Sequence, residues 1–331
     1  MSYTAHLDVP YAGATSPRQA LDLFLPSSPS PSPATRPLLV YIHGGAWRSE
    51  SKADFRERLV PLLVEHTELP LAVLDYRLAP ADPHPAHITD VLAALDLLTR
   101  ADLLPGEGAA SPQWDRSRLI LLGHSAGAFM CLQVLFDPPA ESRSPRVPER
   151  VQGSIERAFL VDGIYDLPSL LAEYPTYVSF VSDAFGPPPT PSAPGTTERA
   201  VDSASTTTTT YALESPARWR CVPSVLRHTT LHILHSQQDE LLSLAQPEFL
   251  IDRLWSGVGA PVRAPVEEEG EGEEGQHALL EQRLSVDYVA LQGGHYEVVH
   301  VHADRLARYV AQALRSRDGP TTTSASGDGD L

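Results

Sequence analysis

The chain has 331 residues, enough for one large α/β domain with insertions or for two domains, and 42% of them are hydrophobic, which is ample for a core. Lys and Arg total 25 against 42 Asp and Glu, and the net charge of −17 argues against nucleic acid and anionic membrane surfaces as partners. Two cysteines, Cys131 and Cys221, make no disulfide framework; Met1 to Ala20 lacks the charged and apolar regions of a signal peptide, and no stretch approaches a membrane span, so a cytosolic protein is expected.

In chain order, Leu21 to Leu25 reads as an edge strand, and Ser27 to Pro37 as an extended Ser/Pro-rich loop. Leu38 to His43 reads as a buried strand that enters Gly44-Gly45-Ala46-Trp47. A helix is expected over Phe55 to His66, and a strand over Leu71 to Tyr76. Ile88, Val91, Leu92, Leu95 and Leu98 recur at helical spacing. Leu119 to Leu122 is a strand running into Gly123-His124-Ser125-Ala126-Gly127, and Ala128 to Phe136 is apolar enough for a buried helix. Ala158 to Val161 is a further strand. Residues 167–220 break the rhythm. Short helices are expected around Leu170 and Tyr177, with low-complexity loop at Pro187-Pro188-Pro189 and Thr206 to Thr210, so the insertion reads as a lid over the sheet's carboxyl edge. Thr230 to His235 resumes the sheet, and Leu244 to Trp255 is a helix. An acidic insert at 261–277, with Glu267 to Glu274 at its centre, reads as solvated loop. Ser285 to Leu291 is the last strand, Leu306, Tyr309, Val310 and Leu314 mark a closing helix, and 318–331 is a polar, disordered tail.

Strands alternating with helices imply an α/β fold with a mostly parallel central sheet and helices on both faces, here one domain over 1–317. Ligands of such sheets bind beyond the carboxyl ends of the strands.

The stretch Leu119 to Gly127 carries the first chemical signal. A strand followed by G-x-S-x-G and a helix is the context of an exposed nucleophile on a sharp turn, and Gly123 and Gly127 leave the room that turn needs. A serine hydroxyl is a weak nucleophile and needs a base, itself oriented by a carboxylate. In hydrolases built on such sheets the chain order is Ser, then acid, then His. Asp239 follows the strand ending at His235, and His295 follows the turn Gln292-Gly293-Gly294, so Ser125, Asp239 and His295 are the candidate triad. Thirteen histidines compete for the role of base. His232 and His235 read as structural, His300 and His302 as capping or surface residues, and His124 is held inside the nucleophile turn. Among acids, Glu240 is expected to point away from its neighbour, and Asp162 and Asp166 follow an earlier strand where some hydrolases place the acid.

His43-Gly44-Gly45-Ala46-Trp47 is the second signal. Acyl transfer builds negative charge on a carbonyl oxygen, and fixed backbone N–H donors must meet it. Gly45 and Ala46 are the candidate donors from this loop and Ala126 supplies a third. Trp47 packs the loop or meets substrate. Tyr165, Tyr174 and Phe180 are further aromatic candidates for the substrate pocket, with the lid over Leu170 to Phe185 walling it against water. The acidic insert is expected to be dispensable for chemistry. No Cys/His pair stands at zinc spacing, so no metal is expected.

The H-G-G-x-W and G-x-S-x-G stretches, with Asp75-Tyr76-Arg77-Leu78-Ala79-Pro80, resemble the hormone-sensitive-lipase-like branch of the α/β-hydrolases. Within it, Gly163 to Leu167, His235 to Leu242 and His295 to Val299 make the chain similar to the kynurenine formamidases over roughly residues 20–315. That resemblance implies hydrolysis of N-formyl-L-kynurenine to L-kynurenine and formate, a step of tryptophan breakdown that feeds NAD synthesis. It implies no metal or organic cofactor and a small molecule as partner, and leaves a homodimer open. The alternative on the same triad is a carboxylesterase of short acyl or aryl esters, and a catalytically inactive binding module is a third reading.

Overall fold

A computed structural model describes residues 2–11, 13–27, 36–100, 113–187, 211–221, 223–257 and 273–316. Apolar runs set the architecture. Strands β1 (Tyr3–Pro10), β2 (Ala20–Pro26), β3 (Leu38–Ile42), β4 (Leu71–Leu74), β5 (Leu119–His124), β6 (Ile155–Val161), β7 (Thr230–Leu234) and β8 (Leu284–Asp287) form one sheet, ordered β1-β2-β4-β3-β5-β6-β7-β8. The pairs β1/β2 and β2/β4 are antiparallel, and every pair from β4 to β8 is parallel.

Side chains alternate across the sheet as a pleated strand demands. Leu38, Val40, Ile42, Leu119 and Leu121 pack on one face, and Leu39, Tyr41, Ile120 and Leu122 on the other. Both faces are covered, which is why these strands are apolar throughout. The second face carries α1 (Leu59–Thr67). The first carries α2 (Ala86–Leu98) and α3 (Ala126–Leu135). Then come α4 (Glu149–Ser154), α5 (Leu167–Glu173), α6 (Val178–Phe185), α7 (Pro223–His228), α8 (Ala245–Gly257), α9 (Glu273–Arg283) and α10 (Glu297–His300). The closing α11 (Ala303–Arg315) lies beside α1 on the second face. No helix among the described residues is long and apolar enough to cross a membrane.

Several boundaries depart from the sequence reading. The stretch 21–25 lies inside the sheet, because Tyr3–Pro10 supplies the edge. That edge strand is mostly solvent-facing, so it shows no apolar run. The last strand stops at Asp287 rather than Leu291, because the Asp287 carboxylate accepts the N–H groups of Val289 and Ala290 (both 2.8 Å) and turns the chain. The helix expected from Phe55 starts at Leu59, after a separate 3₁₀ turn over Lys52–Phe55. The end of the acidic insert is helical from Glu273. The remainder of that insert, the low-complexity stretch 188–210, residues 28–35 and the tail from 317 lie outside the described residues.

The lid helices α5 and α6 are fixed at both ends. Asp166 caps α5 by accepting the Ser169 N–H (2.9 Å) and pairs with Arg218 (Nη2–Oδ2 3.0 Å). The C-terminus of α6 gives its Ala184 carbonyl to the His84 N–H (2.7 Å) and its Phe185 carbonyl to Arg143 (2.8 Å). Buried Glu214 gathers the Arg143 and Ser142 side chains and the His84 ring around the same point.

Candidate active site

The turn between β5 and α3 is as tight as the glycines foretell. A Cβ on Gly123 would lie 2.5 Å from the Gly127 carbonyl oxygen, and one on Gly127 would lie 2.0 Å from that of Ile42. Ser125 between them takes φ 55°, ψ −118°, a conformation that L-residues avoid and that costs ~1–3 kcal/mol. It is held there by its N–H donating to the Val161 carbonyl of β6 (2.9 Å).

After β3 the chain coils back left-handed through Gly45 (φ 83°), Ala46 (φ 51°) and Trp47 (φ 59°). Consecutive residues of this hand turn their N–H groups to one side, as an anion site needs. The Gly45 carbonyl closes the turn by accepting from the N–H groups of Arg48 and Ser49 (both 3.0 Å) and from the Ser49 hydroxyl (2.9 Å). A second lock comes from Tyr76, whose hydroxyl reaches the carbonyls of His43 (3.0 Å) and Gly44 (2.8 Å). Its ring stacks on that of His43 at 4.4 Å. Asp75 anchors the neighbouring segment by accepting the Lys52 N–H (2.7 Å) and its ammonium (3.1 Å). The loop meets the nucleophile turn closely, since a Cβ on Gly44 would lie 2.9 Å from that of Ser125.

Beyond β7 and β8 two turns are sewn together. Ser236 Oγ donates to the Gly293 carbonyl (2.6 Å), and the Gly293 N–H donates to Gln238 Oε1 (2.6 Å). This brings His295 Nδ1 to 2.7 Å from Asp239 Oδ2. The other Asp239 oxygen accepts the N–H groups of Leu241 (2.8 Å) and Leu242 (2.9 Å). Burial pushes the Asp239 carboxyl up, but the His295 bond and charge and these two amides outweigh it and hold it below the usual carboxylate range. Burial pushes the His295 imidazole down, and Asp239 more than reverses this, leaving it above the usual histidine value. Glu240 does not point away. Its Oε2 accepts the His295 backbone N–H (3.0 Å), so it steadies the loop rather than the ring. His124 donates from Nε2 to the His295 carbonyl (2.9 Å), and burial pushes its imidazole down to about 3.

Asp166 is occupied by its helix cap and Arg218, whereas Asp162 has a carboxylate oxygen within 4.8 Å of His295 and one within 4.8 Å of Asp239. It is fully buried at φ 42°, accepts the Ser236 N–H at Oδ1 (2.7 Å), and its Oδ2 has no partner among the described residues. Burial, and then the Asp239 charge, push its carboxyl up to about 7. The folded state therefore keeps a proton that the unfolded chain releases near 3.8, so stability falls as pH rises from about 4 to about 7. Asp162→Asn tolerates the left-handed backbone and still accepts from Ser236. It should flatten that slope and stabilise the protein above pH 7 by a few kcal/mol, order of magnitude, in urea unfolding at pH 5, 7 and 8. An unchanged slope would refute this account of Asp162.

Ser125, Ala46 and His295 line one cavity of about 220 Å³, walled by Tyr177 and Phe180 of the lid segment and by Leu241. Trp47 is buried away from it and ties its loop to the lid and to α3. It meets Phe185 edge-on at 5.0 Å and Phe129 at 5.1 Å. Tyr165 is fully buried and does not reach the cavity wall. Tyr174 also lies off that wall, stacked behind Tyr177 at 4.9 Å. Tyr177 falls within the lid stretch expected to wall the pocket, whereas Arg48, Ile164 and Tyr296 were not expected as lining residues, although Arg48 and Tyr296 directly follow residues selected from the sequence.

A family model described as alpha/beta hydrolase fold matches residues 39–161. Esterase B of Lactobacillus rhamnosis superposes with a TM-score of 0.60 at 16% identity, covering 94% of this chain and 87% of that one, which shows the fold. The kynurenine formamidase of Eremothecium gossypii is 32% identical over 223 residues, 64% of this chain and 76% of that protein. The kynurenine formamidase of Meyerozyma guilliermondii is 33% identical over 224 residues, 65% of this chain and 70% of that one. At 32% and 33% identity to relatives of which it covers 76% and 70%, this chain belongs to the kynurenine formamidase family of the α/β-hydrolases.

Proposed function

We propose that the protein hydrolyses the formamide of N-formyl-L-kynurenine to L-kynurenine and formate, with Ser125, His295 and Asp239 as its triad. The observation that carries the roles is the shared cavity, in which a strained Ser125 and the His295–Asp239 pair stand beside the coil of Gly45 and Ala46. His295 Nε2 takes the Ser125 proton as Oγ attacks the formyl carbon. The oxyanion is met by the N–H groups of Gly45, Ala46 and Ala126. Collapse breaks the C–N bond, and His295 returns the proton to the aniline nitrogen as L-kynurenine leaves. Water, deprotonated by His295, then releases formate from the formyl-serine and restores the hydroxyl. Tyr177 and Phe180 offer aromatic faces for the aryl ring. The chain's own groups carry every step. The unpaired Cys131 and Cys221 support a cytosolic setting, and the continuous sheet supports a single domain through residue 317.

The test is a comparison of kcat/KM for N-formyl-L-kynurenine with that for p-nitrophenyl acetate and butyrate on purified protein. A clear preference for the formamide supports the reading. Ester turnover without formamide turnover would assign a carboxylesterase instead.

A further inference from the structure

Which group reads the amino-acid end of the substrate is a separate question from the triad. Arg48 is the one lysine or arginine among the described residues lining the cavity. It lies two residues beyond Ala46, and its backbone is fixed by the N–H bond to the Gly45 carbonyl (3.0 Å), so the base of its side chain keeps a set position relative to Ser125. The guanidinium sits over the Phe180 ring, 5.6 Å from its centroid. Its one ion-pair partner among the described residues, Asp183, is 3.6 Å from Nη1, longer than a hydrogen bond, and both side chains are about 40% exposed (43% and 38%). Such an exposed pair is weak and leaves the guanidinium N–H fork available.

Resting on the formamidase reading above, we propose that Arg48 is the specificity residue of the site, binding the carboxylate of a substrate whose reacting carbonyl lies at Ser125. A planar fork matches a carboxylate in bidentate fashion, and the Phe180 face beneath it excludes water from one side. The aryl ring of the substrate then lies along Tyr177, between the anionic end at Arg48 and the formyl group at Ser125.

The experiment measures the ratio of kcat/KM for N-formyl-L-kynurenine to that for N-formylkynuramine, which lacks only the carboxylate, in wild type, Arg48→Gln and Arg48→Lys. A charge-assisted bond is worth ~1.5–3 kcal/mol, so the ratio should fall about 10- to 100-fold in Arg48→Gln, mostly through KM, and only partly in Arg48→Lys. A packing role for Arg48 over Phe180 would change both substrates together and leave the ratio unmoved, and a ratio within two-fold of wild type in Arg48→Gln overturns the proposal. Should the wild type hydrolyse neither formamide, the functional reading fails by itself. The ratio of p-nitrophenyl hemisuccinate to p-nitrophenyl butyrate then decides Arg48 on the same criterion.

Discussion

Ser125→Ala should lower kcat for the formamide by ~10⁴–10⁶-fold, because members of a nucleophile–base–acid unit act together and what is left comes from binding and the oxyanion donors. The backbone supplies a second readout. Ser125 holds φ 55°, ψ −118°, which glycine adopts without strain and alanine does not. Ser125→Gly should therefore be as inactive as Ser125→Ala but more stable than it by about 1 kcal/mol, after the larger entropy of the unfolded glycine chain is offset against the relieved strain. Thermal unfolding of the two variants and single-turnover assays check both parts. Activity above about a tenth of wild type in Ser125→Ala would remove the serine from the mechanism, and a Ser125→Gly variant less stable than Ser125→Ala would mean that the turn stores no strain, because the entropy of the unfolded glycine chain would then stand unopposed.

What was legible in the sequence follows from how strongly each feature constrains residue type. Strands covered on both faces admit little but apolar side chains, so Leu38–Ile42 and Leu119–Leu122 stand out as unbroken runs. The nucleophile turn admits only glycine at 123 and 127, since a Cβ at either would strike backbone. The His295–Asp239 pairing was legible as position, each residue following a strand at the same sheet edge. The role of Glu240 was not, because whether a side chain meets its neighbour's ring or backbone depends on the fold of two loops distant in sequence. The edge strand Tyr3–Pro10 left little trace because water, which tolerates any polar residue, covers most of it. The cavity wall was read poorly for the opposite reason. Aromatic residues suit a core as well as a pocket, and Trp47 and Tyr165 proved to be core, while Phe180 and Tyr177 face the cavity.

Asp239→Asn should reduce kcat by roughly 10⁴-fold with the fold intact, and the hydrogen bonds around it explain why so small a change matters. Asp239 Oδ1 accepts two backbone N–H groups, from Leu241 and Leu242, and Oδ2 accepts from His295 Nδ1. An asparagine must keep its single oxygen toward the two amides, so its NH₂ turns toward Nδ1. That ring nitrogen then has to accept, the proton moves to Nε2, and the imidazole faces Ser125 as a donor that cannot take a proton. Glu240→Gln should change kcat little, because the amide oxygen still accepts the His295 N–H. Asp162→Asn should stay within about ten-fold of wild type, since Asp162 bonds the Ser236 backbone and not the ring. The pH profile separates a lost orienting charge from a distorted site. His295 must be neutral to act, so kcat/KM rises with pH through its native pKa, which Asp239 holds above the usual histidine value. Without that charge, burial dominates and the rising limb of the residual activity in Asp239→Asn should move to lower pH, whereas Glu240→Gln should leave it almost in place. The opposite ranking of the two variants would transfer the orienting role to Glu240, and mild effects of both, with a large loss in Asp162→Asn, would transfer it to Asp162.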